Sequence, residues 1–118
     1  PYDIGAIRGS MGAVFTQKIV TAAYGAFLDW KRENGIRLIG TDDSATSDYL
    51  EVDIPDTAIV MMGSEREGLT GAQIADCDAV ARIPMLRSCD SLNLAVAAGV
   101  MLYQAYNVQR GYHLRKQL

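Results

Sequence analysis

Apolar residues in this chain fall into short continuous runs and into stripes at three-and-four spacing. A continuous run suits a strand that is covered on both faces, whereas a stripe suits one side of a helix. The runs predict strands at 36–40, 57–62 and 78–83. The stripes predict helices at 21–34 and 70–77 and a long final helix from about 92 onward. Since strands and helices alternate, the pattern predicts an α/β domain, a parallel sheet with helices on both faces.

The remaining segments have weaker patterns. Residues 3–15 predict a short helix capped by Asp3, although its glycines also suit a loose N-terminal segment. Residues 17–20 predict a brief strand, and Gly35 predicts the end of the helix that follows it. Residues 44–56 are polar and acidic, so we expect an irregular surface excursion there.

The stretch from Ile83 to Tyr106 combines an irregular loop with the long final helix. Pro84 removes a backbone donor and the polar residues after it have no apolar period, so a loop is expected. Asp90 or Ser91 can supply the N-cap oxygen of the helix. A small polar loop that leads to the bare amide groups of a helix start is suited to hold a ligand.

Composition narrows the function classes. The chain has 118 residues, 49% hydrophobic and 21% charged, which is typical of one soluble globular domain. No apolar stretch approaches the roughly 20 residues that span a membrane. The net charge of −3 argues against a large phosphate-binding face. Cys77 and Cys89 lack metal-ligand spacing, so we expect reduced thiols in the cytoplasm and no zinc site.

In an open α/β sheet, ligands bind beyond the carboxyl ends of the strands. Two loops follow the most hydrophobic strands, 63–69 and 84–91. Gly63 and Gly68 permit close approach of the backbone to a ligand, although a tight turn is the simpler explanation for either glycine alone. Glu65 and Glu67 tell against nucleotide phosphates and favour a ligand with hydroxyl groups or a cationic centre. Taken alone, Glu65 suits a solvated surface acid.

Three segments carry a family resemblance. They are IVMMGSEREGL at 59–69, Ile83-Pro84-Met85 with Ser91-Leu92-Asn93 and the alanine-rich helix, and RGSMGAVF at 8–15. In these segments the chain resembles the SpoU (TrmH-type) RNA 2′-O-ribose methyltransferases of the SPOUT superfamily. The first two are similar to the second and third motifs of that family, in the right order and at the right separation. Arg87 stands where many relatives have Gly.

The resemblance implies a fold and a cofactor. The family fold is a parallel sheet whose C-terminal part forms a trefoil knot, and the knot loops bind S-adenosylmethionine. By resemblance, the cofactor-binding residues are Met62, Gly63, Gly68, Ile83, Met85, Ser91 and Leu92. Because Ile83 and Leu92 also have the side chains of core residues, a site made largely of main-chain groups accommodates both roles.

The resemblance also implies catalytic positions, Glu65, Ser91, Asn93 and Arg8. The first three match polar positions of the family's active site, where a ribose hydroxyl has to be aligned and deprotonated. Asn93 can fix a hydroxyl without carrying charge, although it could instead serve as a local helix cap. Arg8 is either the arginine of the family's first motif or a later one. The Ser-x-Gly-Ala that follows it fits the later helix better.

This placement of Arg8 leads to a prediction for the domain. The first motif, an Asn followed by an Arg, would lie about 30 residues or more before Arg8. We therefore expect residues 1–118 to form the C-terminal part of a SPOUT catalytic domain, without the first motif and without an N-terminal RNA-binding domain.

The resemblance thus predicts an RNA 2′-O-ribose methyltransferase that uses S-adenosylmethionine and acts as a homodimer, with no metal and no membrane. Ribosomal RNA is the expected substrate, ahead of tRNA. The final helix also favours a dimer, because its apolar residues lie on more than one face. Two alternatives stay open. One is a fragment that binds the cofactor without catalysis because it lacks the base, and the other is an unrelated Rossmann-like domain that binds another small molecule.

Overall fold

The computed structural model describes residues 16–64, 66–85 and 93–112. The chain divides into two compact units, residues 1–30 and residues 31–118. Within the described part of the first unit, residues 17–20 form no strand, so that prediction is wrong. All four residues are exposed, and no described neighbour takes up their backbone hydrogen bonds as a paired strand would. The helix predicted at 3–15 lies outside the described residues.

The first described helix, α1, is Tyr24–Glu33, which is shorter at its start than predicted. The structure confirms the prediction that Gly35 marks the end of this helix, and Gly35 has φ +62°. The Gly35 N–H donates to the Arg32 carbonyl at 3.2 Å and the Ile36 N–H donates to the Lys31 carbonyl at 3.1 Å. This pair of bonds is the Schellman arrangement, in which a left-handed residue lets the chain leave the helix and enter a strand.

The second unit contains a four-stranded parallel sheet, and this confirms the fold prediction. Its strands are β1 (Arg37–Thr41), β2 (Ser47–Asp48), β3 (Ala58–Met61) and β4 (Ala79–Arg82), in the order β2-β4-β1-β3. β1 lies between β3 and β4, so that Ile39 pairs with Val60 on one side and with Ala79 on the other. The most hydrophobic part of the unit is therefore the middle of the sheet.

Two further helices follow the strands. They are α2 (Gly71–Asp76) and α3 (Leu94–Gln109), close to the predicted bounds. On one face of the sheet, Ile39 and Ala81 share a buried cluster with Met101 of α3. On the other face, the Cβ position of Gly40 lies 2.6 Å from Cys77 Sγ and 2.8 Å from a Leu69 methyl carbon. Both faces are therefore covered, because successive strand residues point to opposite sides.

The segment 44–56 is more ordered than the sequence indicated. It contains β2, which pairs with β4, and the Tyr49 N–H extends that pairing by donating to the Arg82 carbonyl at 2.9 Å. Ile54, only 2% exposed, joins the buried cluster of Ile39 and Met101. The prediction of an irregular surface excursion is therefore wrong, because buried Ile54, with Tyr49 and Val52 packed against the same cluster, anchors the acidic segment to the core.

Two further points concern the predicted trefoil knot and the question of membrane-spanning helices. The trefoil knot would involve residues 86–92, which lie outside the described residues, so the knot stays a prediction. Among the helices of the described residues, none is both long enough and apolar enough to cross a membrane.

Candidate functional site

A pocket of about 380 Å³ opens at the edge of the sheet where β1, β3 and β4 end. Its described lining comes from three strand-end segments and the start of α3: Thr41, Asp42, Asp43, Met62, Gly63, Ser64, Arg66, Glu67, Gly68, Ala81, Ile83, Met85, Asn93, Leu94 and Ala97. Small-molecule sites in proteins span roughly 300–1,000 Å³, so the volume suits a compact ligand. The location is the one expected for ligands of open parallel sheets.

The pocket brings together six of the residues that the sequence predicted for the site, Met62, Gly63, Gly68, Ile83, Met85 and Asn93. The other four, Arg8, Glu65, Ser91 and Leu92, lie outside the described residues. The described residues of the two predicted loops therefore include ones that line the same cavity. The binding and catalytic roles of these residues stay predictions.

Gly63 is required by the fold of its own loop. A Cβ atom at Gly63 would overlap the carbonyl group of Gly68 and the amide nitrogen of Leu69, all of them backbone atoms that cannot move aside. The tight local backbone therefore explains why position 63 is a glycine, whether or not a ligand also comes close. The same close approach of backbone to backbone places Gly63 and Gly68 side by side in the pocket wall.

The loop after β3 closes on itself as a small hairpin. The Ser64 N–H donates to the Gly68 carbonyl at 3.2 Å, and the Gly68 N–H donates to the Ser64 carbonyl at 2.9 Å. Ser64 Oγ accepts a further hydrogen bond from the Glu67 N–H at 3.1 Å. Gly68 has φ +67°, a conformation that costs a side-chain-bearing residue free energy. The two backbone bonds join Ser64 and Gly68 to each other in this wall of the pocket.

A third strand-end segment, Thr41–Asp42–Asp43, was missed as part of the site. Its polar residues are typical of a turn, and it does form one, since the Ser44 N–H donates to Asp42 Oδ2 at 3.0 Å. Yet all three residues also line the pocket. The rule that singled out the other two loops applies equally to β1, because its carboxyl end lies at the same edge of the sheet. That signal was available in the sequence.

The N-cap of α3 is Asn93, so the prediction of Asp90 or Ser91 is wrong. Asn93 Oδ1 accepts a hydrogen bond from the Ala95 N–H at 2.8 Å. This bond satisfies one of the amide groups that a helix start leaves without a partner, which is why Asn is favoured there. The alternative that Asn93 serves as a local cap is therefore correct. Its position in the pocket lining leaves a second role open.

α2 follows the loop that contributes Gly63 and Gly68 to the pocket lining. Thr70 Oγ1 accepts from the Gln73 N–H at 3.1 Å, and Gln73 Oε1 accepts from the Thr70 N–H at 2.8 Å, which is a capping box. After the helix, Cys77 Sγ donates to the Gln73 carbonyl at 3.2 Å. Burial raises the pKa of the Cys77 thiol, and the acids on either side of it act in the same direction. Cys77 is therefore a packing residue rather than a reactive thiol.

Charge is unevenly distributed around the pocket. Its described lining holds three carboxylates, Asp42, Asp43 and Glu67, against one guanidinium, Arg66, and it contains no His or Lys. Such a lining favours a ligand that carries positive charge or hydroxyl groups over a phosphate. Among residues 16–64, 66–85 and 93–112, no group of three His, Cys, Asp or Glu side chains is placed to hold a metal ion.

The fold and the pocket define an α/β domain with a cavity of ligand size beyond the ends of its parallel strands. The model of the SpoU rRNA Methylase family matches residues 1–103, and the chain belongs to this family. The resemblance deduced from the sequence is thus confirmed, and an unrelated Rossmann-like domain is excluded.

Relatives with names and structures support the same assignment. The 23S rRNA (uridine(2479)-2′-O)-methyltransferase of Streptomyces viridochromogenes is 36% identical over 110 residues, which are 88% of this chain and 38% of that protein. The 23S rRNA (guanosine-2′-O-)-methyltransferase RlmB of Bordetella pertussis is 39% identical over 80 residues, 68% of this chain and 33% of that protein. The matched part of the chain therefore spans about a third of the length of these relatives.

A solved structure extends the similarity to three dimensions. It is the SpoU methyltransferase AviRb from Streptomyces viridochromogenes in complex with the cofactor AdoMet. Its TM-score with this chain is 0.85 at 34% sequence identity, over 93% of this chain and 46% of that one. The fold of the described residues is thus a fold in which a related protein holds S-adenosylmethionine.

Proposed function

We propose that this chain carries the S-adenosylmethionine pocket of an RNA 2′-O-ribose methyltransferase. One observation carries the proposal: two separate motif segments of a SpoU-family chain, around Gly63 and around Ile83, line a single cavity at the carboxyl edge of the sheet. Related proteins are 23S rRNA 2′-O-methyltransferases, and the related AviRb structure contains AdoMet.

The pocket residues fit this cofactor. S-adenosylmethionine joins a flat purine and a ribose to a sulfonium centre and an amino acid group. Met62, Ile83 and Leu94 provide apolar wall for a purine, while Thr41, Asp42 and Asn93 provide polar atoms for hydroxyl or cationic groups. The excess of carboxylates over guanidinium suits a ligand with a positive sulfur.

The reaction sets three tasks for the protein: positioning the ribose hydroxyl, fixing its neighbours and removing its proton. When bound, the cofactor supplies an electrophilic methyl group. Asn93 is suited to positioning, because Oδ1 is held by the Ala95 N–H and the Nδ2 group makes no hydrogen bond within the described part of the chain. We retain Glu65, Ser91 and Arg8 as the further proposed catalytic residues.

We propose ribosomal RNA as the substrate, ahead of tRNA, because the two relatives above are named for 23S rRNA. We also place the enzyme in the cytoplasm, where its RNA substrate is made and where a thiol such as Cys77 stays reduced.

A homodimer is part of the same proposal. α3 buries Met101 against the sheet, yet on its other side Leu102 is 61% exposed and Tyr103 is 71% exposed, with Val96 and Tyr106 also more than half exposed. A groove beside this side is lined by residues that include Tyr49, Gly99 and Tyr103. An apolar helix face of this kind is normally buried against another surface, and the same face of a second copy of the chain is a self-complementary partner for it.

Two measurements test the proposed function. Calorimetry should show that the chain binds S-adenosylmethionine, and a labelled methyl group should then pass from the cofactor to ribosomal RNA. Protection of the adjacent phosphodiester from alkaline hydrolysis would identify the ribose 2′-oxygen as the acceptor. Binding without transfer would favour the alternative of a cofactor-binding fragment without the base. Absence of binding would refute the proposal.

A further inference from the structure

Asp42 holds its carboxylate in a fixed position at the pocket. Its N–H donates to the Ala81 carbonyl at 3.0 Å, which continues the pairing of β1 with β4. Its Oδ2 accepts hydrogen bonds from both the N–H and the hydroxyl of Ser44. Backbone and side chain are thus both tied down, and the carboxylate cannot swing into solvent without breaking these bonds.

The second oxygen of this carboxylate is available to a ligand. Asp42 Oδ1 lies 3.6 Å from the Cβ position at Gly68, so the two residues are neighbours in the lining of the pocket. In the part of the chain that the structure describes, Oδ1 makes no hydrogen bond. A carboxylate with one oxygen anchored and the other facing a cavity is a preorganised acceptor, because little entropy remains to be lost when a ligand arrives.

Asp42 also differs from the other two acids of the lining. Asp43 and Glu67 are exposed, whereas Asp42 is half-buried. Solvent and salt screen exposed charges strongly, and a half-buried charge less so. Of the three carboxylates, Asp42 therefore exerts the strongest field on a ligand inside the pocket.

We infer that Asp42 is a specificity-determining residue by which the pocket prefers S-adenosylmethionine to its demethylated product, S-adenosylhomocysteine. This inference rests on the proposed function. The two molecules share the purine, the ribose, the ammonium group and the carboxylate, and they differ in the sulfur, which is a sulfonium cation in one and a neutral thioether in the other. A fixed negative charge in a small cavity stabilises only the first sulfur, so the product leaves more readily than the cofactor.

Calorimetry of the whole chain with each molecule tests the inference. Asp42→Asn keeps an oxygen for the Ser44 amide and removes the charge. We expect the affinity for S-adenosylmethionine to fall about tenfold and the affinity for the product to change less than about twofold. The matched control is Asp48→Asn. Asp48 makes the same kind of turn, since its Oδ1 accepts from the Leu50 N–H at 2.9 Å, and it is not among the described lining residues of the pocket. Both affinities should stay unchanged in this control.

Each result has a definite meaning. An equal loss of both affinities in Asp42→Asn would show that Asp42 binds a group common to the two molecules, and no loss would show that it binds neither; both results overturn the inference and leave the proposed function intact. A wild-type chain that binds neither molecule overturns both. If thermal unfolding shows that Asp42→Asn is unfolded, Asp42→Ser replaces it, because a serine hydroxyl can form the same local turn without charge.

Discussion

Asp78 bonds to Leu38 twice, once through its main chain and once through its side chain. The Asp78 N–H donates to the Leu38 carbonyl at 2.8 Å, and Asp78 Oδ2 accepts from the Leu38 N–H at 2.7 Å. Leu38 is fully buried in the central strand, and this carboxylate is the partner of its N–H group. Lys31 Nζ lies 2.7 Å from the same oxygen. The carboxylate thus takes the place of a strand carbonyl immediately before β4 begins.

Removing this carboxylate should destabilise the sheet. In Asp78→Ala the buried Leu38 amide loses its partner, and we expect the free energy of unfolding to fall by about 1–3 kcal/mol. Asp78→Asn keeps an oxygen acceptor and should lose less. Urea denaturation of both variants measures the difference. If Asp78→Ala were as stable as Asp78→Asn, the hydrogen bond to the Leu38 amide would contribute nothing to stability, and any loss relative to the wild type would come from the missing charge.

The stability should also depend on pH through Asp78. The hydrogen bond from Lys31 and the bond from the Leu38 amide hold the pKa of this carboxyl below its ordinary value of 3.8. A lowered folded-state pKa contributes stability that is present above the unfolded-state value and is lost as the pH falls through the folded-state value. The unfolding free energy should therefore decline below about pH 4. Urea midpoints across this range should decline less in Asp78→Asn, and parallel curves would contradict the assignment.

Gly63 should tolerate no side chain. In Gly63→Ala the new methyl group overlaps the Gly68–Leu69 backbone, so the hairpin that forms the pocket wall has to open. We expect a loss of several kcal/mol, in the range of about 2–4, or failure to fold. Gly71→Ala is the control, since no atom lies within 4 Å of its Cβ position. Thermal unfolding of the two variants checks this, and equal melting temperatures would contradict the close approach.

The sequence predicted the sheet because its strands are continuous apolar runs between turn residues. β3 shows this most clearly, since Pro55 before it and Gly63 after it mark its limits. β2 could not be predicted in the same way. It has two polar residues and pairs with β4, while Tyr49, Val52 and Ile54 of the following segment pack into the core. Such tertiary anchoring leaves no periodic signal in the local sequence.

For a related reason, only part of the site could be predicted. The glycines and the residues around Ile83 could be found from motifs, and the pocket does contain them. Asp42 belongs to no such motif, and its turn with Ser44 explained it without a ligand. The sequence placed β1 in the same parallel sheet, but the strand order, with β1 between β3 and β4, is what shows that its end reaches this particular cavity.

The dimer proposal predicts a specific effect at Gly99. Gly99 lines the groove beside the exposed side of α3, and no atom lies within 4 Å of its Cβ position. Gly99→Leu should therefore leave the monomer folded but fill the space that a second copy would enter. We expect sedimentation to show a dimer for the wild type and for the control Gly71→Leu, and a monomer for Gly99→Leu at the same concentration. A wild-type monomer at tens of micromolar would refute the dimer.

Asn93 has two roles to separate, as the N-cap of α3 and as a proposed positioning group for the ribose hydroxyl. The cap uses Oδ1, which accepts from the Ala95 N–H at 2.8 Å. Asn93→Ala should therefore lose about 0.5–2 kcal/mol of stability together with turnover. Asn93→Asp keeps the oxygen and adds a negative charge at a helix start, where the dipole favours it, so its stability should equal or exceed that of the wild type. It replaces the Nδ2 donor by a charged acceptor, however, which cannot donate to the oxygen of the hydroxyl and which repels the RNA phosphates.

The expected result for Asn93→Asp is a stable protein whose affinity for S-adenosylmethionine changes little and whose methyl transfer to RNA falls at least about tenfold. Denaturation, calorimetry and the transfer assay measure the three quantities on one preparation. If instead Asn93→Asp transferred the methyl group at the wild-type rate while Asn93→Ala did not, the cap alone would account for this residue. The catalytic role would then have to be sought among Glu65, Ser91 and Arg8.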